Sequence, residues 1–357
     1  MNAPLAFTYQ ALPMRVVLGT DALDRLADEI DHAGLERVMV LCSPGRRELA
    51  ETVAARIGPR AVEIHPHARM HVPAESAAEA RRRAKEANAD GCVAVGGGSA
   101  IGLGKIIALQ YRLPVIAVPT TYAGSEMTPV WGLTENGAKR TGRDPRVLPV
   151  SVLYDPALTV ALPAAVSVTS GMNAIAHAVE ALYAPDASPV VDLMAEEGVR
   201  ALATALPDVV ADGADLDARA RAQYGAWLCG ACLGATTMSL HHKLCHALGG
   251  TFDLPHAPTH TVVLPHVLAY NQDAAPKAVA ALGRALGTPA DPATHLWDLA
   301  GRLGAPRSLR ELGMAESDVD RIVRLALADP YANPREVTAE GLGRLLCAAW
   351  SGQPPTS

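Results

Sequence analysis

The chain of 357 residues is 49% apolar and 19% charged, with a formal net charge of −6 at pH 7. That length suggests two domains of ordinary size, and the composition excludes disorder except at the ends, where residues 1–4 and 352–357 are expected to be loose. The acid excess and the lack of a long Lys/Arg run exclude a nucleic-acid footprint; nothing in the sequence reads as a signal peptide or as a membrane span of about 20 apolar residues.

In chain order, Arg15 to Gly19 reads as a strand and Asp21 to Ala33 as a helix with Leu23, Leu26, Ala27 and Ile30 on one face. Arg37 to Cys42 (RVMVLC) is a buried strand stopped by Ser43-Pro44-Gly45. Arg47 to Ile57 is helical, Val62 to His65 a short strand, and Ala74 to Asn88 a helix ending before Asp90-Gly91. Cys92 to Val95 is a strand running into Gly96-Gly97-Gly98-Ser99, Ala100 to Gln110 a helix, and Val115 to Val118 a further strand. This alternation predicts βαβ units and a parallel sheet. After about Asp155 strand signals stop and alanine-rich helical stretches follow: Met172 to Tyr183, Val190 to Leu206 and Asp217 to Leu240. Prolines between Pro156 and Pro163 punctuate the change. The expected organisation is an α/β domain over 1–158 and an all-α domain over 159–357.

Six cysteines, Cys42, Cys92, Cys229, Cys232, Cys245 and Cys347, are scattered and fit reduced thiols in cytoplasm. Cys229 and Cys232 form a C-x-x-C, but it lies in an apolar helical run with no second pair, so buried core is expected there.

Strand, glycines and helix at 92–110 stand in the order a phosphate site requires. Glycine lets backbone approach a phosphate closely, and the free N–H groups and dipole of the helix start favour an anion. The run differs from G-x-G-x-x-G, yet it points to a Rossmann-like dinucleotide site. A second loop, Pro119 to Glu126 with Thr120, Thr121, Tyr122 and Ser125, follows the next strand and offers hydroxyls to the cofactor. After RVMVLC, where a carboxylate would grip the ribose and disfavour NADP, stand Ser43, Arg46 and Arg47. NADPH is therefore expected to be tolerated beside NADH.

His177 lies four residues after Asn173 in GMNAIAHAVEAL, so both project from one helical face. His242 and His246 are likewise four apart in HHKLCHALGG, and His256 follows in DLPHAP. With an acid in place of Asn173, three of these histidines would make an iron or zinc site. His241, His260 and His266 are assigned to loop or core packing.

The segments GGGS, PTTYAGSE, DPALTVALP, SGMNAIAHAVEA and HHKLCHALGG…LPHAPTHTVVLPH resemble the iron-containing alcohol dehydrogenase family over nearly the whole chain. The resemblance implies a dehydroquinate synthase-like fold, NADH or NADPH as cofactor, and a cytoplasmic homodimer. It implies cofactor contacts from Ser43, Gly96, Gly97, Gly98, Ser99, Lys105, Thr120, Thr121, Tyr122 and Ser125. The family's metal ligands fall on Asn173, His177, His242 and His256, and His246 on the histidine beside nicotinamide and substrate. Three departures stand out. Gly102 replaces the acid of G-G-G-S-x-x-D-x-x-K, the loop PTTYAGSE is short and carries Tyr122, and Asn173 replaces an aspartate. Together with Ala68 to Glu75 (ARMHVPAE) and Asp329 to Thr338 (DPYANPREVT), these are similar to a subgroup that reduces an unsaturated keto diacid and is implied to need no metal.

Such a substrate carries a C=C bond conjugated to a ketone and two carboxylates. Hydride addition generates an enolate, which calls for oxyanion donors, an acid, and cationic or N–H partners for the carboxylates. Asn173, His177, His242, His246 and His256 are expected to share the first two roles. Lys243, the group Lys139, Arg140, Arg143 and Arg146, and Tyr331 and Arg335 are candidates for the last. Two rivals are a metal-dependent alcohol dehydrogenase of the same family, opposed by Asn173, and a non-catalytic ligand-binding protein, opposed by the intact glycine loop and histidine set.

Overall fold

The computed structural model describes residues 7–12, 14–135, 138–288, 291–329 and 331–356. The expected loose residues 1–4 lie outside these, as does Ser357. Contacts gather the chain into two units: Pro13–Leu162 with Asp212–Tyr224, and Met1–Leu12, Pro163–Ala211 and Gly225–Ser357.

The first contains β1 (Arg15–Leu18), α1 (Leu26–His32), β2 (Val38–Leu41), α2 (Arg47–Ile57), β3 (Ala61–His65), α3 (Ala74–Glu86), β4 (Gly91–Gly96), α4 (Gly98–Tyr111) and β5 (Val115–Pro119). Then come β6 (Val130–Glu135), β7 (Ala138–Arg143) and β8 (Ser151–Tyr154). Six strands form a parallel sheet in the order β1-β8-β5-β4-β2-β3. β2, β4, β5 and β8 are buried at every residue, as expected of parallel strands covered on both faces. Leu26, Ile30, Val40, Val53, Val95, Val118 and Leu153 share one core.

The chain passes from β2 outward to β3, then returns across β2 to β4 and continues the other way. β2 and β4 are hydrogen-bonded neighbours, Val38 opposite Gly91 through Leu41 opposite Ala94. The strand order thus reverses between them, and ligands of open α/β sheets bind outside the carboxyl ends of such strands. Ser43 and the triple glycine both follow those ends.

Three strands, β6, β7 and β8, were not expected from the sequence. β6 and β7 form an antiparallel hairpin whose described side chains are half-buried or exposed, so they lack the apolar runs that mark the sheet. Trp131 faces Gly142 across it, where a Cβ would come within 2.6 Å of the indole.

The second unit is helical. It holds α5 (Ala164–Leu182), α6 (Pro189–Ala211), the end of α7 (Leu216–Ala235), α8 (Leu240–Phe252), α9 (His256–Asn271), α10 (Pro276–Leu286), α11 (Pro292–Arg302), α12 (Val319–Ala328) and α13 (Ala339–Ser351). α5 begins eight residues before the expected Met172. The helix expected over Asp217 to Leu240 breaks after Ala235. There Thr236 Oγ1 donates back to the Cys232 carbonyl at 2.9 Å, and Asp186 accepts from the N–H and hydroxyl of Thr237. Ser239 then starts α8. Leu240, Leu244, Leu248, Val263, Val267, Ile322 and Leu346 form the core beneath α8 and α9. Cys229 and Cys232 are fully buried free thiols, in keeping with a packing role.

Candidate active site

At the end of β4, Gly96 takes φ +140°, a conformation glycine favours. Gly97 caps α4 with no side chain to occupy the helix's first N–H groups. A Cβ on Gly97 would sit 2.9 Å from Thr121 Cγ2, so its bareness serves the packing of the two loops. Gly98 is exposed, and a Cβ there would meet nothing within 4 Å. The fold leaves that space open, as a cradle for phosphate would. Ser43 precedes a short 3₁₀ turn without spending its side chain on a cap bond. Arg47 is exposed and pairs with Glu51, at 2.8 Å, one turn along its own helix.

Two of the expected cofactor contacts face the protein interior. Lys105 is fully buried, and its Nζ donates to the carbonyls of Ser125 (2.5 Å), Thr128 (2.8 Å) and Val130 (2.9 Å) and to the Thr128 hydroxyl (3.0 Å). Burial pulls its pKa down to about 7, with Glu126 opposing. Tyr122 is also fully buried, donating to Thr159 Oγ1 at 3.2 Å and accepting from Arg219 at 3.0 Å. Both anchor the Pro119 to Glu126 loop. Thr120 is buried, while Thr121, Ser125 and Ser99 are partly open. Gly102 has a physical account too: a Cβ there would lie 2.9 Å from Val72 Cγ2.

In the helical unit, α5 presents Asn173, His177 and Glu180 at positions i, i+4 and i+7, one face of the helix. α8 brings His241, His242, Cys245 and His246; α9 opens with His256 and carries His260 one turn on. The His177 and His242 rings stack at 5.3 Å between centroids, 26° apart in plane. His246 lies 6.1 Å from His242 edge-on, and His260 lies 5.2 Å from His242 and 4.3 Å from His256. Asn173, His177 and His242 are buried, whereas His246 and His256 are half-buried. The structure thus brings the four expected histidines into one cluster. Burial, with His242 and His256 nearby, holds the His177 pKa well below its ordinary range, so this ring is neutral near pH 7.

Glu180 had no place in the sequence reading. It is buried; Oε2 lies 2.6 Å from His242 Nδ1 and accepts from the Ser239 N–H (2.9 Å), and Oε1 accepts from the His241 N–H (2.6 Å). Its spacing of three from His177 puts it on the same helical face, but its burial rests on the donors at the start of α8. His241 and His260 are buried on helices as expected of packing residues, and also touch the cluster: His241 Nε2 lies 2.9 Å from His260 Nδ1. With Cys245 they bring ligand-type atoms within 4.8 Å of one another, a set distinct from the positions the resemblance singled out. His266 is buried, and desolvation takes its pKa to about 4.

Of the basic candidates, Lys243 follows His242 on α8, half-buried, with Nζ 5.5 Å over the Tyr331 ring and 3.4 Å from Asp329. Arg335 is committed to the Tyr270 carbonyl at 2.9 Å and stacks on that ring. Arg140, Arg143 and Arg146 are exposed on the β6–β7 hairpin and the turn after it, in the other unit; Arg140 pairs with Glu135 and Arg146 with Asp144. The Lys139 side chain lies outside the described residues.

A cluster of imidazoles around a neutral His177 can donate hydrogen bonds to a developing oxyanion and pass a proton, next to a half-buried lysine that suits a carboxylate. Comparison with known proteins bears on which reaction this serves. Residues 13–156 match the family description "Iron-containing alcohol dehydrogenase" and residues 167–350 its C-terminal counterpart. The chain is 52% identical to maleylacetate reductase of Sphingobium indicum over 98% of its own length and 99% of the relative's. It is 53% identical to maleylacetate reductase of Burkholderia cepacia, with the same shares covered. The crystal structure of maleylacetate reductase from Agrobacterium tumefaciens superposes with a TM-score of 0.94 at 48% identity, covering 98% of this chain and 99% of that one.

Proposed function

Within the iron-containing alcohol dehydrogenase family, to which the chain belongs, we propose that this oxidoreductase reduces the C=C bond of maleylacetate with NADH or NADPH to give 3-oxoadipate. The observation that carries the reading is a buried imidazole cluster with an amide, Asn173, at the position where the family has an acid. The near-full-length relatives that bear the name support it.

The family's name implies iron, and the donor set fits it poorly. Asn173, His177, His242 and His256 offer only neutral atoms, and Glu180 has both oxygens engaged by Ser239, His241 and His242. A divalent cation held by those four groups would lack charge compensation in a buried site. The chain's own side chains therefore carry the chemistry.

The glycine loop at the start of α4 holds the cofactor pyrophosphate, with Ser43, Thr120, Thr121 and Ser125 around it. Hydride adds to the alkene carbon β to the ketone. The electron pair moves onto the ketone oxygen as an enolate, and a proton adds to the carbon between. His177, kept neutral, donates a hydrogen bond to that oxygen. His242, His246 and His256 supply the remaining donor and the proton, and Lys243 receives a substrate carboxylate. Conjugation spreads the enolate charge, so hydrogen bonds suffice where a localised alkoxide would need a cation.

No helix among the described residues is long and apolar enough to cross a membrane. We take the working form to be a cytoplasmic homodimer, which light scattering on the purified protein tests. NADH consumption with maleylacetate, run with and without chelator, tests the main reading. Turnover lost to chelator and restored by iron or zinc would return the chain to the metal-dependent alcohol dehydrogenases.

A further inference from the structure

Resting on that reading, we infer that Glu180 is a positioning residue: it fixes His242 in the tautomer with hydrogen on Nδ1 and so presents a bare Nε2 to the cluster.

A buried imidazole without a partner can turn over about its ring axis or exchange tautomers, and either change swaps donor for acceptor at the working edge. The partner of His242 is unusually well held. Three nitrogens converge on the two oxygens of Glu180: the Ser239 and His241 backbone N–H groups, which donate, and His242 Nδ1. Two belong to the first residues of α8, so a side chain of α5 caps α8 in place of a local residue. The Ser239 side chain is engaged elsewhere, donating to the Ala332 carbonyl at 2.7 Å. The carboxylate that caps the helix therefore also sets the ring one turn inside it. The two backbone N–H groups can only donate, so both Glu180 oxygens already act as acceptors; a carboxylate held in that way has only acceptor sites left for the ring, which places a proton on His242 Nδ1.

The other nitrogen shows the consequence. His242 Nε2 is buried and has no partner among the described residues, and the same holds for Nδ1 of His177, stacked 5.3 Å away. Buried polar atoms are nearly always satisfied, so orphaned nitrogens on adjacent rings mark where a bound molecule completes the network. Only one of these two rings has a carboxylate at its back. At metal-ligating histidines, outer partners of this kind fix ring orientation and tautomer, and losing one costs about 10–100-fold; an imidazole that meets substrate directly should depend on its partner in the same way.

The direct test reads the tautomer itself. Long-range proton–nitrogen NMR on the whole protein, with His242 assigned by its loss in H242A, should show Nδ1 protonated and Nε2 bare. Hydrogen on Nε2 in the unaltered protein would overturn the inference whether or not any variant folds. E180Q turns an amide N–H₂ toward one of the three donors. It should give mixed tautomers at His242 and a kcat lower by about 10–100-fold with KM for NADH unchanged. The double variant E180Q/H242A should be no slower than H242A alone, because Glu180 acts through that ring. Additive losses would reduce Glu180 to a helix cap. If maleylacetate is not reduced at all, the functional reading fails while the tautomer measurement still stands.

Discussion

Lys105 Nζ donates at once to the carbonyl oxygen of Thr128, at 2.8 Å, and to its hydroxyl, at 3.0 Å. With the carbonyls of Ser125 and Val130 also bound, one buried amine ties the helix that carries the glycine loop to the end of the Pro119 to Glu126 loop and the residues just after it. The two loops proposed for the cofactor are thereby tied to each other.

Removing that clamp should loosen the site without touching its exposed surface. Lys105→Met leaves three carbonyls short of a donor and should lower the melting temperature by several degrees, at a cost of about 1–3 kcal/mol per orphaned group. The pH dependence has a defined sign. The folded pKa of about 7 lies below the ordinary 10.5, so between those values the unfolded chain holds the extra proton. Stability from this residue should rise with pH across that window, and below it the burial cost is constant. Melts of the wild type and Lys105→Met across the window should show the difference shifting in favour of the wild type as pH rises. A flat difference would mean that Lys105 stays charged throughout.

Gly98 separates cofactor binding from folding. Its Cβ space is open, whereas that of Gly97 runs into Thr121 at 2.9 Å. Gly98→Ala should keep the wild-type melting temperature and raise KM for NADH by about tenfold or more, since a methyl group intrudes on the phosphate path. Gly97→Ala should lose stability as well. If Gly98→Ala binds NADH normally, the phosphate does not sit at the start of α4.

How much of this was legible in the sequence depends on what buries each residue. β2, β4 and β5 announced themselves as unbroken apolar runs because a parallel sheet covers both faces. The β6–β7 hairpin was passed over because Lys139 to Arg143 is polar, although Asn136-Gly137, themselves outside the described residues, are a strong hairpin signal between its strands. Asn173 and His177 could be paired by helical spacing alone. Glu180 could not be valued that way: in HAVEAL a glutamate reads as solvated, and its burial is created by donors from α8, some sixty residues on. Arg219, fully buried and donating to Tyr122 and to the Leu162 carbonyl, was missed for the same reason.

Cofactor choice should be permissive. Ser43 follows β2 where an acid would repel a 2′-phosphate, and the exposed Arg47–Glu51 pair holds Arg47 weakly, so it is available to a new anion. NADPH should serve with a kcat/KM within about tenfold of that for NADH. Arg47→Ala should lower the NADPH value and leave NADH unchanged. An unaltered ratio would place the 2′ position away from α2.

The charge at position 173 makes the sharpest demand. Wild-type activity should survive exhaustive chelation, because Asn173, His177, His242 and His256 supply no anion and Glu180 is occupied. Asn173→Asp adds a carboxylate to the same face of α5, one turn from His177. It should bind about one equivalent of zinc or iron where the wild type binds none, since three imidazoles and one carboxylate suffice for a tetrahedral site. The same charge should slow reduction of maleylacetate, because a fixed anion would oppose the enolate oxygen that the imidazole cluster is proposed to stabilise. Metal analysis and NADH oxidation on the two proteins read both effects. If Asn173→Asp takes up no more metal than the wild type, the missing carboxylate is not what keeps cations out.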